Sequence, residues 1–529
     1  MSRFNLIDEK WIPVRFLDGT RDELGIRDTL LRSKEIAAIE DPSPLVVAAL
    51  HRFLLAVLYR ALEGPTDIDQ AKVLFKAGLP REKITAYLEK WRDRFWLFDE
   101  KHPFYQVLAY EPQENNAKKE WKSWPAIAAE HNASNAKVLF DHVEIATAGP
   151  IPSRMAARWL IACQTFALGG GNSDFAYTKS APSATGAMAL PLGVHLHDTL
   201  LLSLVPENRE VLKGDLPIWE REPVPLASLK KGIARSAMGV ADLYTWLTRS
   251  IKFHFAGNGE TLSELAFASG VACSSENRVD PMFGYEIDVK WGKRPIPFRD
   301  RGLWRDFDSL LPDESHLAPE VIEHATALTR SNRHRFPRSV IVLGQANSKA
   351  KIDYWRMECF ALPEKMAGDR FIRTEIRQLL TEAEDAEKVF EKSLRTAAKH
   401  IIAKGERELQ ADKWSKGQWT PGDVSKFIGK STSETVPVAL ANYWSTLESK
   451  FHEILREYTL GRDYEDIRCL WLKSVRDTLK TAWEQHRASV SVGDAWAIRA
   501  LVKAEGPVFR KLKELKTEIV KLEPQKEVA

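Results

Sequence analysis

Residues 365–402, KMAGDRFIRTEIRQLLTEAEDAEKVFEKSLRTAAKHII, mark the point where the chain changes its hydrophobic period. Ile372, Ile376, Leu379, Phe390, Leu394 and Ile401 recur at the three- and four-residue steps of one helix face. Three further stripes follow. They are Leu440, Trp444, Leu447, Phe451 and Leu455; then Ile467, Trp471, Val475, Leu479 and Trp483; then Trp496, Leu501, Phe509, Leu512 and Leu515, weakened by Gly506-Pro507. Four amphipathic helices with shorter connections predict a helical bundle. Upstream the period is mixed. The expected fold class is therefore α+β: a large mixed N-terminal domain, residues 1–364, followed by a C-terminal four-helix bundle, residues 365–529.

Outward from that boundary, SVIVLGQANSKAKIDYWRMECFAL (339–362) reads as strand, tight turn, strand, with QANSKAK as the tip. At the other end of the chain, LIDEKWIPVRF alternates apolar and polar residues and meets a turn at Asp18-Gly19. Asp41-Pro-Ser-Pro opens a helix, LVVAALHRFLLAVLYRALEG, closed by Gly64 and Pro65. A second helix is predicted over 81–94, then HPFYQ (102–106) in a loop or short extended piece. Residues 110–155 are polar and broken by Pro and Gly, as long surface loops are. SRMAARWLIACQTFAL reads as a helix running into Gly169-Gly170-Gly171, and the small-residue segment after it as a flexible stretch. LPLGVHLHDTLLLSLV reads as a strand-like pattern.

The 529 residues suggest roughly two to four domains. Lys plus Arg number 76 and Asp plus Glu 73, a net charge of +3. That balance excludes a generally basic, histone-like chain and a purely acidic one. It leaves nucleic-acid binding open, because a local patch suffices. Two such stretches exist: 290–306 holds six basic and two acidic residues, and 329–358 holds seven and two. No stretch approaches the ~20 apolar residues of a bilayer span, and the N-terminus lacks an apolar leader core. The expectation is a cytoplasmic protein without membrane contact. Cys163, Cys273, Cys359 and Cys469 form no CxxC, so reduced and mostly buried thiols are expected rather than a zinc ribbon or disulfide framework. The seventeen tryptophans fall largely at helical spacing and suggest an aromatic core.

No phosphate loop, HExxH or GxSxG is present, which favours a binding protein over an enzyme. His195, His197 and Asp198 offer metal ligands if alternate strand residues share a face; otherwise they close a strand beside a turn. The alternative functions are thus a metal-dependent hydrolase using that cluster, or a helical scaffold without nucleic-acid contact. Gly169, Gly170 and Gly171 serve either as a helix cap and linker or as bare backbone entering a DNA minor groove, about 6 Å wide. Asn347, Ser348 and Lys349 are either a polar hairpin tip or a wedge inserted between base pairs. Lys290 and Lys293 are either solvated or reach groove acceptors.

Taken in order along nearly the whole chain, these pieces resemble the CasA family, the large subunit of the type I-E CRISPR surveillance complex Cascade. NLIDEKWIPVR resembles the family's opening hairpin, HPFYQ its HPF-x-Q motif, and LFDH (139–142) part of its first mobile loop. ALGGG resembles its glycine loop, RGLWRDFDSLL the segment after its lysine finger, and LGQANSKAK its strand-separating hairpin. The resemblance implies a non-catalytic subunit that reads a protospacer-adjacent motif in duplex DNA through the minor groove. It further implies a role in starting strand separation and R-loop formation, and in recruiting a helicase-nuclease. By carry-over, Gly169, Gly170, Gly171 and Asn172 form the glycine loop. Lys290 or Lys293 is the finger; Asn347, Ser348 and Lys349 are the wedge, with Lys349 standing where some relatives carry Gln. Phe140, Asp141 and His142 face the guide RNA and the complex core. The implied partners are the backbone, small and RNA 5′-end-binding Cascade subunits, CRISPR RNA, target double-stranded DNA and the helicase-nuclease. Some relatives carry four zinc-ligating cysteines; only Cys273 lies near one such pair here, so no metal and no cofactor are expected.

Overall fold

A computed structural model of the chain describes residues 4–112, 114–115, 118–119, 121–128, 148–169, 175–176, 179–255, 260–274, 279–288, 290, 292–299, 301–311, 316–330, 335, 337, 339–348, 351–362, 370–402, 436–490 and 495–523. They fall into two compact units. The first is Met1–Leu303 with Ser309–Cys359, and the second is Trp304–Asp308 with Phe360–Ala529.

The first unit is built around the helix Pro44–Leu62. Ser43 caps it, accepting from the Val46 amide at 3.2 Å, and Pro44 takes the first turn, where its missing N–H costs nothing. The chain leaves it through Glu63 in the left-handed region, φ 53°. Apolar side chains ring the helix, so it sits inside the unit rather than on it. By length and mean hydropathy, 1.8, it would suit a membrane span, which corrects the expectation that no such stretch exists. Burial within the unit, 94% of the apolar window, accounts for that hydropathy instead. The two arginines that break the run to the eye are both engaged, Arg60 with Glu220 at 2.7 Å and Arg52 with Asp280 at 2.7 Å.

Short sheets surround this helix. Arg21–Leu24, Ile12–Phe16 and Ile36–Ile39 form an antiparallel sheet, entered through the expected hairpin at Asp18-Gly19, where Gly19 has φ 88°. Phe104 of HPFYQ enters an aromatic cluster. Its ring centroid lies 5.9 Å from Phe53 and 5.6 Å from Phe95. Gln106 of the same motif donates to the Leu97 carbonyl at 2.7 Å and accepts from the Phe253 amide at 2.9 Å. HPFYQ is thus a clasp that ties a loop to the core. Another sheet has the order Lys351–Ala361, Ser339–Ser348, Met188–Leu192.

The second unit consists of C-terminal helices: Arg370–Ile402, Val436–Thr459, Tyr464–Ser489, Ala495–Ala504 and Gly506–Leu522. The first and third stripes are buried throughout. Leu440 in the second is only half-buried. The fourth stripe is split. Pro507 cannot continue the preceding helix but fits the first turn of a new one, so the chain restarts at Gly506. The restart shifts the phase: Val508, Leu515 and Ile519 are buried, whereas Phe509 is 49% exposed. Trp304 and Phe307, far upstream in sequence, complete this core. Trp304 meets Trp444 at 5.4 Å and Phe451 at 5.2 Å, and Phe307 meets Phe360 at 5.4 Å. None of the described tryptophans is exposed, in keeping with an aromatic core.

Three buried histidines give the fold a pH dependence. Burial pushes His51, His197 and His324 down from 6.5 to about 4. The native state therefore holds them neutral while the unfolded chain protonates near pH 6.5, so stability falls as pH drops from about 6.5 towards 4. At ~1.4 kcal/mol per pH unit for each group, the loss reaches roughly 2 kcal/mol per histidine at pH 5. Thermal unfolding at pH 7.5 and pH 5 should show a clear drop in Tm, reduced in His51→Gln. An unchanged Tm between these conditions contradicts the assignment.

Candidate nucleic-acid interface

The helix Ser153–Phe166 ends as expected, just before the glycines. Its last turn leaves carbonyls without helical partners. Side chains from elsewhere take them up. The Gln345 amide nitrogen donates to the Phe166 carbonyl at 2.7 Å and to the Ala184 carbonyl at 2.8 Å. Arg249, buried and lowered in pKa by that burial, donates to the carbonyls of Leu168 and, at 2.9 Å, Lys179. Gly169 N–H donates to Ser180 Oγ at 2.8 Å, and Ala181 N–H to the Ala167 carbonyl at 2.8 Å. Gln164 holds Arg249 itself, accepting from its amide at 2.8 Å and donating to its carbonyl at 2.9 Å. These bonds bring the two ends of the segment 169–180 side by side. Gly169 is part of that junction; Gly170, Gly171 and Asn172 lie outside the described residues.

The second predicted element is also a hairpin, with a shorter tip than QANSKAK. The strand Ser339–Ser348 runs into that stretch as far as Ser348, and the return strand begins at Lys351. Gln345 and Ala346 are buried strand residues rather than exposed turn residues. Asn347 is half-buried near the strand end, Ser348 is the last strand residue, and Lys349 lies outside the described residues. Alternation places Asn347 on the same face as Gln345, roughly 7 Å further along.

Lys290 and Lys293 sit on a third hairpin, Tyr285–Asp288 with Gly292–Pro295, in which Ile287 faces Lys293. Both lysines are exposed, and the Lys290 amide donates to Asp288 at 2.8 Å across the turn. The chain leaving this hairpin returns to the glycine segment. Ala187 N–H donates to the Ile296 carbonyl at 3.1 Å, and Gly186 pairs with Pro297. Gly344 closes the junction. A Cβ there would lie 2.9 Å from both the Gly186 carbonyl and the Phe298 ring, so only glycine lets the three segments approach. Segments near 167–187, 285–298 and 339–348 thus converge, and each carries one predicted motif. Phe140, Asp141 and His142 lie outside the described residues.

The histidine cluster is built differently from the strand-like reading. The strand stops at Leu192 and a helix, Leu196–Ser203, begins instead. His195 is its cap, Nδ1 accepting from the Asp198 amide at 3.3 Å. His197 is buried near Ser33, and Asp198 is held by Arg335, whose guanidinium also lies 3.6 Å from the Phe75 ring centroid. A helix turn replaces the alternation that would have aligned the ligands, because capping satisfies amides that a strand end would leave open. Among the described residues no group of three His, Cys, Asp or Glu side chains is arranged to hold a metal. The cysteines are free. Cys163 and Cys469 are buried, Cys273 half-buried and Cys359 exposed, and burial pushes the Cys163 thiol up to about 12.

Arg249 and Gln164 carry no motif that singles them out in the sequence, and Gly344 and Gln345 lie within LGQANSKAK without being among its predicted site residues. The available signal is a lone amide, Gln345, beside an apolar run, which the turn reading assigns to solvent.

Comparison with known proteins agrees with this architecture. Residues 5–482 match the family model for CRISPR-associated protein Cse1. A CRISPR-associated protein CasA/Cse1 of Thermus thermophilus is 32% identical over 98% of this chain and 99% of its own length. A crystal structure of Thermus thermophilus CasA superposes with a TM-score of 0.81, at 30% identity over 97% of this chain and 100% of that one. A chain of a solved CRISPR RNA-guided surveillance complex shares the fold, with a TM-score of 0.66 at 17% identity over 96% of this chain and 100% of its own. The match spans both units, including the segments that meet at Gly344 and Gln345, and on it the chain belongs to the CRISPR-associated CasA/Cse1 family.

Proposed function

We propose that the chain is the large subunit of a type I-E CRISPR RNA-guided surveillance complex, Cascade, and that it reads a short motif in duplex DNA through the minor groove. The observation that carries the reading is the convergence of three motif-bearing segments at one place in the first unit, joined by Gln345 and closed over Gly344. Gly169, Gly170, Gly171 and Asn172 supply backbone to the groove, with Lys290 or Lys293 adding a cation. Minor-groove readout is largely A·T against G·C, so this reader tolerates several motifs and leaves target specificity to guide RNA pairing. Asn347, Ser348 and Lys349 then act as a wedge beside the motif, lowering the cost of starting the heteroduplex. Nothing in this role requires a catalytic step or a cofactor.

The same reading assigns Phe140, Asp141 and His142 to the contact with the guide RNA and the complex core. The C-terminal helices pack on the small subunits, and the completed R-loop licenses a helicase-nuclease to dock. The protein acts in the cytoplasm, where guide RNA and invading DNA meet. The test is Gly170→Asp in the assembled complex. A carboxylate at that backbone position repels phosphate and blocks close approach. The ratio of affinities for matched over mismatched adjacent motifs should fall by roughly tenfold or more, as for the loss of a specific contact worth about 1–3 kcal/mol. Unchanged motif dependence in a binding titration would sink the glycine assignment.

A further inference from the structure

Beyond the predicted site residues, one buried side chain joins two of the segments that carry them. Gln345 is fully buried, and its amide nitrogen has two hydrogens, both used. One goes to the last residue of the helix that precedes the glycines, Phe166, and one to Ala184, where the segment re-enters the core. These acceptors stand 18 residues apart in sequence and more than 160 residues from Gln345, so they report tertiary placement and not local chain geometry. Gln345 also lies two residues before Asn347 on the same strand face. Arg249 and Ser180 hold the two ends of the glycine segment to each other; Gln345 holds them to the hairpin strand. Gly344, its neighbour in the strand, keeps that approach close.

We propose that Gln345 is a positioning residue that locks the ends of the glycine segment to the hairpin strand, so that motif reading and duplex opening are registered to each other. The proposal rests on the reading given under Proposed function. A neutral primary amide suits the task. It supplies two divergent donors from one atom without placing a charge in the core, and both carbonyls lose their partner together if it is removed.

The experiment uses the assembled RNA-guided complex carrying Gln345→Met, which keeps the side-chain length and removes both donors. Binding is titrated against duplex targets with matched and mismatched motifs, and against a pre-melted target. The matched-over-mismatched ratio and the duplex-over-pre-melted ratio should each fall, by roughly five- to tenfold, while affinity for the pre-melted target stays within about twofold. Wild-type ratios in Gln345→Met, alongside altered ratios in Gly170→Asp and Asn347→Ala/Lys349→Ala, overturn the proposal and leave the functional reading standing. Wild-type ratios in all three variants remove the functional reading and the proposal with it. An equal loss on all targets also overturns it, since that marks a merely structural role. If Gln345→Met does not assemble, hydrogen exchange on the unaltered complex serves. Binding of motif-bearing duplex should protect the amides of Ala181 and Ala187 together with those of 342–345, and protection of the first set alone overturns the coupling.

Discussion

Arg52→Met should lower the stability of the first unit by about 3–5 kcal/mol, the range for breaking a buried ion pair by removing one partner. Arg52 is fully buried in the central helix. Its guanidinium lies 2.7 Å from the Asp280 carboxylate, donates to Ser183 Oγ at 2.6 Å, and packs 3.9 Å from the Tyr244 ring centroid. Methionine replaces the aliphatic stem but leaves Asp280 as an uncompensated charge, only 3% exposed. The double variant Arg52→Met/Asp280→Asn removes that charge as well and should recover a large part of the loss. Urea unfolding of the three proteins measures this. Equal losses in the single and double variants contradict the ion-pair account and point to packing alone. Ser183 lies beside Ala184, so the same substitution loosens one anchor of the glycine segment.

The largest functional effect is expected from Asn347→Ala/Lys349→Ala. Opening a base step costs a few kcal/mol, which the wedge offsets with its own contacts. Removing them should weaken binding to a fully paired target by roughly thirtyfold, the equivalent of about 2 kcal/mol. A target already melted beside the motif requires no such work, and its affinity should change by less than about threefold. Side-by-side titration of the two targets in the assembled complex decides the matter. Equal weakening on both removes the wedge role. Because Asn347 is half-buried, Tm of the double variant is measured alongside.

The residues that are legible from sequence share a physical property: their signal is local. The stripe from Ile372 to Ile401 defines a helix because side chains three and four apart must share a face. Ser43-Pro44 marks a helix start because the cap acts within one turn. The hairpin at 339–361 follows from two apolar runs around polar turn residues. Local signals also mislead where two local structures compete. LPLGVHLHDTLLLSLV contains enough apolar residues for either element, and the cap at His195 turns it into a helix. Gln345 in a run of turn-forming residues reads as exposed, whereas the neighbouring carbonyls of Phe166 and Ala184 draw it inward.

By itself, then, the sequence determined the change from mixed elements to helices near residue 365, the absence of recognisable catalytic motifs, and the family through its ordered motifs. Only the tertiary structure decided that Trp304 and Phe307 belong to the helical core, since no period links them to helices that begin about sixty residues later. Only it decided that the segments around Gly169, Lys293 and Asn347 meet. The bonds that join them run from the Gln345 side chain or from a backbone N–H to backbone carbonyls, and every residue carries a carbonyl. Such an acceptor leaves no mark in the sequence, so the placement becomes visible only when the chain is folded.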